Sequence, residues 1–211
     1  MRSKSAIEIF TYWNDLRGTR KAPYRQEVEP AGIRGILPDL FILEMRPEAD
    51  LRFRLAGTHV CALFGRELRG TTFDSLWRAD ETKRVNRVAA EVMTEATPIV
   101  LSATALSMTR EPLQTELVLL PLASPDGEID RIIGAIAPLS RPGWLHATAI
   151  AYLDLAGLRA IDIDKTEPFL QNRPEIVLPP PAPARPAPEP LFGGTIRRVL
   201  HLRVFEGGRQ D

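Results

Sequence analysis

The sequence predicts an α+β fold in which a five-stranded antiparallel sheet is packed on one face by helices inserted between its second and third strands. Two short runs alternate apolar with polar residues, which is the period of two that strands require, and three further runs are strand-like. A stretch with helical spacing separates the first two runs from the last three, and this favours helices gathered on one face of the sheet. With 211 residues, 44% of them hydrophobic, the chain is long enough to bury such a core.

The composition argues against several classes of protein. The 27 basic and 27 acidic side chains cancel, so no general affinity for nucleic acid or anionic membranes is expected. A single cysteine rules out an internal disulfide framework and favours a reducing compartment. No run approaches the ~18 consecutive apolar residues of a membrane span. We therefore expect a soluble, cytoplasmic protein.

The N-terminal segment predicts an amphipathic helix over residues 4–17. Ser3 or Ser5 is placed to cap its start and Gly18 to end it. This helix carries a stripe of apolar residues at every third position, namely Ile7, Phe10, Trp13 and Leu16. The stripe needs a partner surface, and the sequence leaves two candidates, the uncovered face of the sheet or a second subunit. We predict that the four residues form a homodimer interface.

Strands and helices then follow a basic connection, rich in Pro and Gly, over residues 18–38. Two alternating runs, Phe41–Met45 and Leu51–Leu55, predict a β-hairpin. Short helical turns are expected over residues 58–77, and a longer helix with Asp80 as its cap is expected from Asp80 to Ala96. The other three strands are predicted at residues 98–109, 113–123 and 129–139.

Proline is concentrated near the C-terminus, where eight of the 19 prolines lie between Pro174 and Pro190. Such a run cannot join a helix or a sheet interior and predicts an extended linker. Beyond it, Thr195–Phe205 alternates apolar residues with Arg197, Arg198 and Arg203, which predicts a strand with one basic face. The predicted organisation is an N-terminal helix and connection (1–37), a core (38–145), a flanking helix or loop (146–173), a Pro-rich linker (174–190) and a strand-like basic tail (191–211).

Several motifs resemble the PAS-domain superfamily. They are Phe53-Arg54-Leu55-Ala56-Gly57-Thr58, the segment Leu63–Gly70, and Glu116 followed by Leu119-Leu120-Pro121-Leu122. An early Trp13-Asn14-Asp15-Leu16-Arg17-Gly18 is similar to a bacterial family of stand-alone PAS-like domains. The resemblance spans about residues 8–140. It implies a PAS-like fold and a sensory or protein-interaction role, often as a dimer with a small molecule between sheet and helices.

A PAS-like pocket would be lined by apolar residues from the inserted helices and the inner sheet face. We predict the lining as Phe41, Leu43, Phe53, Leu55, Leu63, Phe64, Phe73, Leu76, Trp77 and Val92. The same residues suit an ordinary hydrophobic core, and that alternative stays open. The sequence pattern does not identify a cofactor. A small apolar ligand fits such a lining.

Few residues carry chemistry. Cys61 is the only thiol, for which a structural role is predicted, and His59 is predicted to cap a helix or lie at the surface. Three histidines and one cysteine show no ligand spacing, so no metal site is predicted. The sequence has no nucleophile elbow, phosphate loop or dinucleotide motif. We therefore predict no catalytic residues and no enzyme.

A basic patch follows the first helix. Its members are Arg17, Arg20, Lys21 and Arg25, with no acid between them, so the local charge is about +4. Such a patch can grip a phosphate or an acidic partner, or it can be a solvated connection. The basic tail poses a similar choice, because a strand can pair with a partner's sheet edge or with its own domain.

The main functional hypothesis from the sequence is a non-enzymatic PAS-like sensory or regulatory module. It would sense a small ligand and act through contacts with an unidentified signalling protein, as a homodimer. The alternative is a ligand-free adaptor that docks a partner through its Pro-tethered C-terminal strand, since a tether raises the effective concentration of what it carries.

Overall fold

The computed structural model describes residues 1–46, 50–145 and 147–163, and the backbone of two short strands at 197–199 and 202–204. Contacts between residues divide the chain into two compact units, Met1–Gln171 and Asn172–Asp211. The predicted Pro-rich linker, 174–190, lies outside the described residues.

Three α-helices lie where the sequence predicts helical structure: α1 (Lys4–Arg17), α2 (Thr58–Phe64) and α3 (Thr82–Thr94). The Ser3 hydroxyl caps α1 by accepting a hydrogen bond from the Ala6 N–H, and Gly18 ends the helix at a φ of 57°. At α3, the predicted Asp80 cap is wrong. Glu81 holds the N-cap position, and the Asp80 carboxylate accepts a hydrogen bond from Arg78 Nε instead.

One antiparallel sheet contains all five predicted strands, which confirms the α+β class. The sheet has six strands in all, namely β1 (Leu40–Met45), β2 (Leu51–Ala56), β3 (Ile99–Ser107), β4 (Pro112–Ala123), β5 (Ile129–Pro138) and β6 (Ile150–Ala160). Their order across the sheet is β2-β1-β5-β4-β3-β6, and every neighbouring pair is antiparallel. The first strand, β1, therefore pairs with β5, the last of the predicted strands, and β5 lies between β1 and β4.

The sixth strand, β6, is a correction, because the sequence predicted a flanking helix or loop over residues 146–173. Residues 150–160 instead extend the sheet beside β3. The alternation is hidden by a register shift, since Leu155 pairs with Ala103 whereas Gly157 pairs with Ser102. A bulge of this kind adds one residue to the strand and breaks the period of two.

Each face of the sheet has its own hydrophobic cluster. On the inner face, α2 and α3 pack over β-strand residues such as Leu101, Leu117 and Leu119, and we call this set the inner cluster. On the opposite face, α1 packs over residues that include Leu120 and Ile133, and we call this set the outer cluster. The sheet is therefore covered on both sides by the chain's own helices, which is how it buries both of its apolar faces.

The position of α1 corrects the predicted dimer interface. Phe10 and Trp13 are 2% and 1% exposed, because they lie against the outer face of the same chain's sheet. Ile7 and Leu16 are half-buried at the sides of the helix. Of the two candidate partners for the stripe, the sheet itself is the one that covers Phe10 and Trp13.

In the tail, two short strands replace the single strand predicted over Thr195–Phe205. They are β7 (Arg197–Val199) and β8 (Leu202–Val204), which pair antiparallel with Arg198 opposite Arg203. A lone strand would need backbone partners from elsewhere, whereas two halves of one run satisfy part of that need by pairing with each other.

Removing α1 should expose the apolar outer face. We expect a chain lacking residues 1–17 to form larger assemblies, because uncovered patches of this kind drive association. Light scattering of the full-length and shortened chains at equal concentration measures the change in mass. A shortened chain that is smaller than the full-length protein by a whole subunit would show instead that α1 is a dimer interface.

Candidate functional site

The buried carboxylate of Glu116 ties α1 to the sheet. Glu116 lies on β4 and is 4% exposed. Its two oxygens each accept a hydrogen bond from the Arg2 N–H at 2.9 Å, and Oε1 also accepts one from the Ser3 N–H at 2.8 Å. Backbone N–H groups at a helix start have no partner within the helix and carry its positive dipole end, so they suit a carboxylate. A buried charge in turn requires such donors.

Two further contacts hold the helix. The indole N–H of Trp13 donates to the Pro121 carbonyl at 2.7 Å. The Ser5 hydroxyl donates to one oxygen of Asp39, and the other oxygen lies 2.8 Å from His59 Nδ1. Asp39 therefore links α1 on the outer face to α2 on the inner face. His59 lies at the surface, one of the two places predicted for it, with 62% of its side chain exposed.

The contacts among Ser5, Asp39 and His59 border a surface groove of about 330 Å³ beside the N-terminus of α1. Its lining combines the Asp39–His59 pair with three basic side chains and an apolar wall. The basic side chains are Arg2, Lys4 and Arg141. The ties at this end of α1 are therefore within reach of solvent and of anything that the groove admits.

Sequence reasoning singled out Glu116 only through the PAS resemblance and gave it no role. A signal for the role was present, because Glu116 is followed by the apolar run Leu117–Leu120 within a predicted strand. An acidic residue in such surroundings is seldom buried without partners. The sequence does not show that the donors are the N–H groups of Arg2 and Ser3, the two residues before α1, which lie more than 110 positions away.

Nine of the ten predicted pocket residues are buried together in the inner cluster. The exception is Leu55, which is 46% exposed. Leu55 pairs with Ile42, a member of the outer cluster, and cross-strand partners share a face of the sheet. The prediction for Leu55 is therefore wrong, since a register shift in the hairpin places it on the outer face at the edge strand.

Aromatic rings occupy the middle of this inner cluster. The ring centroids of Phe41 and Phe53 lie 5.7 Å apart, those of Phe53 and Phe73 6.0 Å, and those of Phe73 and Trp77 5.9 Å. Separations of this size are the contact distances of packed aromatic pairs. The rings thus fill much of the space between sheet and helices with one another, as the ordinary-core alternative expects.

One polar atom in this cluster has no partner. Trp77 is 5% exposed, and its indole Nε1 is buried without a hydrogen-bond acceptor among the described residues. A buried donor left unpaired costs about 1–3 kcal/mol. A small molecule that carries a hydrogen-bond acceptor would therefore gain most binding free energy beside the indole N–H of Trp77.

Cys61 lies half-buried on α2, with its Sγ 3.6 Å from Glu67 Oε1 and 3.9 Å from the Ala56 carbonyl. Burial raises the pKa of the thiol, and the neighbouring Glu67 carboxylate raises it further, although a backbone N–H from Leu68 acts in the opposite direction. Because only the thiolate is a strong nucleophile, this setting suits a packing role.

Three residues of the predicted basic patch, Arg17, Arg20 and Lys21, line one surface groove of about 480 Å³, and Arg25 is not part of its lining. Arg17 is buried, and its guanidinium donates to the Asn14 side chain and to the carbonyls of Arg20 and Ile163. Arg20 forms an ion pair with Glu27 at 2.9 Å. Lys21 is exposed and Arg25 is half-buried. The two arginines therefore stabilise the turn after α1, and their charge is largely used within the chain.

The described part of the chain offers neither a metal site nor a membrane-spanning helix. No group of three or more His, Cys, Asp or Glu is placed to hold a metal ion among these residues. None of the described helices is long and apolar enough to cross a membrane.

A sheet in the order β2-β1-β5-β4-β3, with helices between its second and third strands on the inner face, defines a class of sensory domains. The profile of a protein family described as "PAS domain" matches residues 1–137, and the chain belongs to this family. PAS domains generally act as sensory, non-enzymatic modules and commonly mediate protein contacts. No curated protein matches the sequence.

Among solved structures, the chain is similar to LOV proteins. The Rhodobacter sphaeroides LOV protein is 19% identical with a TM-score of 0.42, and the match covers 52% of this chain and 66% of that one, just under two thirds. The dark structure of the blue-light photoreceptor Aureochrome1 LOV is 13% identical with a TM-score of 0.42, covering 52% of this chain and 80% of that one. At these identities the likeness concerns the fold alone.

Replacing Glu116 should loosen α1. We expect Glu116→Ala to lower the free energy of unfolding by about 2–3 kcal/mol, since it removes charge-assisted hydrogen bonds and leaves buried N–H groups unpaired. Glu116→Gln, which keeps an oxygen acceptor, should lose about half as much. Urea denaturation measures both, with the exposed Glu91→Ala on α3 as the matched control. Equal stability of all three variants would contradict the role of the carboxylate.

Proposed function

We propose that this protein is a non-enzymatic, cytoplasmic sensory module of the PAS class that alters its protein contacts by releasing and docking α1. The observation that carries the proposal is that α1, tied at its start by Glu116 and Asp39, packs on β4 and β5 within the apolar outer cluster, beside the connection residues Val28, Ile33 and Ile36. A covered apolar face is a binding surface that one movement can present or withdraw.

The outer cluster is large enough for this role. The outer cluster contains buried residues of four strands, among them Ile42, Val100, Leu120 and Ile133, and α1 packs on two of these strands, β4 and β5. Side chains of β4 and β5 such as Leu120 and Ile133 would face solvent if the helix left, and exposed apolar area of this kind is stabilised by a protein partner. The inner cluster, with α2 and α3, belongs to the opposite face and would stay packed.

The ties are also suited to a switch. Apart from the apolar contacts, hydrogen bonds hold α1 at Glu116, Asp39 and Pro121, and further bonds join its Tyr12 to Glu29 and its Arg17 to Ile163. The Asp39 carboxylate lines the surface groove, as do Arg2 and Ser3, which donate to Glu116, so a charged compound or a basic peptide bound there can compete for these two ties. A small differential affinity then shifts the population of the docked and released states.

We also propose that the inner cluster takes up a small, mostly apolar compound with one hydrogen-bond acceptor. The unpaired indole N–H of Trp77 favours this proposal, because such a compound would satisfy a donor that the described residues leave unsatisfied. Uptake requires the aromatic rings to move apart, and the proposal therefore describes a ligand-bound state of the same cluster.

The module is further proposed to act as a homodimer, through a surface other than the Phe10 and Trp13 stripe that α1 buries. The adaptor hypothesis makes a different demand, namely that the tail captures the partner. Removing residues 174–211 would abolish capture in an adaptor, whereas a module that works through α1 keeps its response without the tail.

Release of α1 is measurable through Trp13. The chain has three tryptophans, so the double variant Trp77→Phe/Trp144→Phe leaves Trp13 as the only one. We expect its emission to be blue-shifted when Glu116 is present and red-shifted after Glu116→Ala, because the indole moves from a buried site into water. Far-UV circular dichroism should retain the strand signal of the sheet. If Trp13 reaches solvent only when the strand signal is also lost, α1 does not move independently and the proposed switch is wrong.

Ligand uptake is tested by mass. Native mass spectrometry of the purified protein should show a reproducible added mass that disappears on denaturation. We expect Trp77→Phe to lose the added mass, since it removes the donor, and Trp144→Phe, a half-buried tryptophan outside the predicted lining, to keep it. A bare polypeptide mass in all three proteins would contradict ligand binding in the inner cluster.

A further inference from the structure

One edge of the sheet is open. The β2 edge is covered, because Phe53 exchanges backbone hydrogen bonds with Thr71 at 2.9 Å and Gly70 at 2.7 Å. The opposite edge is β6, where the Leu153 carbonyl accepts a hydrogen bond from the Arg78 N–H at 3.0 Å. Within the part of the chain that the structure describes, no backbone group outside β3 bonds to Leu155–Leu158. Unpaired edge groups are a template for another strand.

The backbone groups that this edge presents can be assigned from the pairing with β3. Residue pairs of antiparallel strands alternate between hydrogen-bonded and non-hydrogen-bonded. Because the Leu153 carbonyl points away from β3, Leu153 and its partner on β3 form a non-hydrogen-bonded pair. By the same alternation, Leu155 and, beyond the bulge, Leu158 also form non-hydrogen-bonded pairs with β3. The N–H and C=O groups of Leu155 and Leu158 therefore face the open edge.

The bulge also decides which side chains share a face. Asp154 pairs with Thr104 and Arg159 with Val100, which are four residues apart on β3 and so lie on one face. Asp154 and Arg159 are an odd number of residues apart and would lie on opposite faces of a regular strand. The residue inserted by the bulge brings them to the same face.

The segment Asp154-Leu155-Ala156-Gly157-Leu158-Arg159 is consequently complementary to itself when reversed. Its ends are an acid and a base on the outer face, and next to them are two leucines that pair with inner-face positions Ala103 and Leu101. Leu158, near the end of β6, is 45% exposed. A second copy of the segment running antiparallel would bring opposite charges and apolar side chains together.

We propose that β6 pairs antiparallel with β6 of a second copy, about a two-fold axis between Ala156 and Gly157, and so joins two sheets into one. This names the surface of the homodimer in the proposed function and depends on that part of it. Asp154 then lies opposite Arg159 of the partner subunit, and Leu155 opposite Leu158 of the partner subunit. A self-complementary patch is what an isologous two-fold contact requires.

The register fits the groups that the edge presents. Leu155 and Leu158 both direct their backbone groups outward, so each pair across the axis exchanges two N–H···O=C hydrogen bonds. The contact between Arg78 and Leu153 stops the pairing at Asp154, which leaves six residues, or about 20 Å of strand. An interface this short is weak by the standards of obligate dimers, so we expect dimerisation to depend on concentration.

Arg78 must be controlled for, because its Nε lies 3.1 Å from Asp154 Oδ1 and shares that carboxylate. The test therefore uses full-length chains that all carry Arg78→Gln. Adding Arg159→Asp places carboxylates opposite carboxylates, and we expect the dimer to weaken at least tenfold in sedimentation equilibrium. Adding Asp154→Arg as well reverses every charge pair and should restore the dimer to within about threefold of the Arg78→Gln chain. Arg87→Asp, at an exposed position of α3, is the matched control and should leave the dissociation constant of the dimer unchanged.

A second measurement follows the backbone. Hydrogen exchange at the Leu155 and Leu158 amides should slow as the protein concentration rises, since these N–H groups become bonded only in the dimer. If the charge reversals leave the dissociation constant of the dimer unchanged, and exchange at these amides does not depend on concentration, the β6 pairing is wrong. The homodimer would then form through another surface. A chain that stays monomeric at every concentration overturns both. A monomer whose β6 amides are protected only by added strand peptide of another protein would assign the edge to a different partner and overturn the proposal.

Discussion

The burial of Glu116 against the start of α1 is the constraint on which the rest of the structure depends. A carboxylate on a central strand, 4% exposed, is stable only because three hydrogen bonds from the Arg2 and Ser3 N–H groups reach it. The same bonds satisfy donors that α1 cannot satisfy itself. They place α1 over the outer face, where Phe10 and Trp13 complete a second hydrophobic cluster. With both faces covered, a small domain can bury apolar residues on both sides of every central strand.

The polar side chains of this protein mostly hold elements in place. Asp39 connects α1 to α2, Arg17 joins the turn after α1 to Ile163, and Arg20 pairs with Glu27. A domain that uses its polar groups in this way acts on other molecules mainly through its surfaces. The three surfaces with distinct chemistry are the outer face under α1, the groove at the start of α1, and the open edge of β6. All three adjoin strands of one sheet.

Local patterns in the sequence were sufficient for most of the fold. The bounds of α1 followed from its apolar spacing and from Ser3 and Gly18, and the five predicted strand-like runs all lie in the sheet. Nine predicted pocket residues are buried because strands and helices with one apolar face turn that face inward. Two of the failures share one cause. Leu55 and the whole of β6 lie where a register shift adds a residue, and a bulge removes the periodicity from which a strand is recognised.

By itself, the sequence determined the helices, five of the six strands of the sheet, and the PAS family to which the chain belongs, because these depend on spacing over a few residues. Only the tertiary structure decided that the aromatic stripe of α1 covers its own sheet, that Glu116 meets the helix start, and that β6 forms an open edge. Those features join residues more than 40 positions apart. Such contacts depend on the path of the chain, since an apolar stripe is buried equally well by its own sheet or by a neighbour.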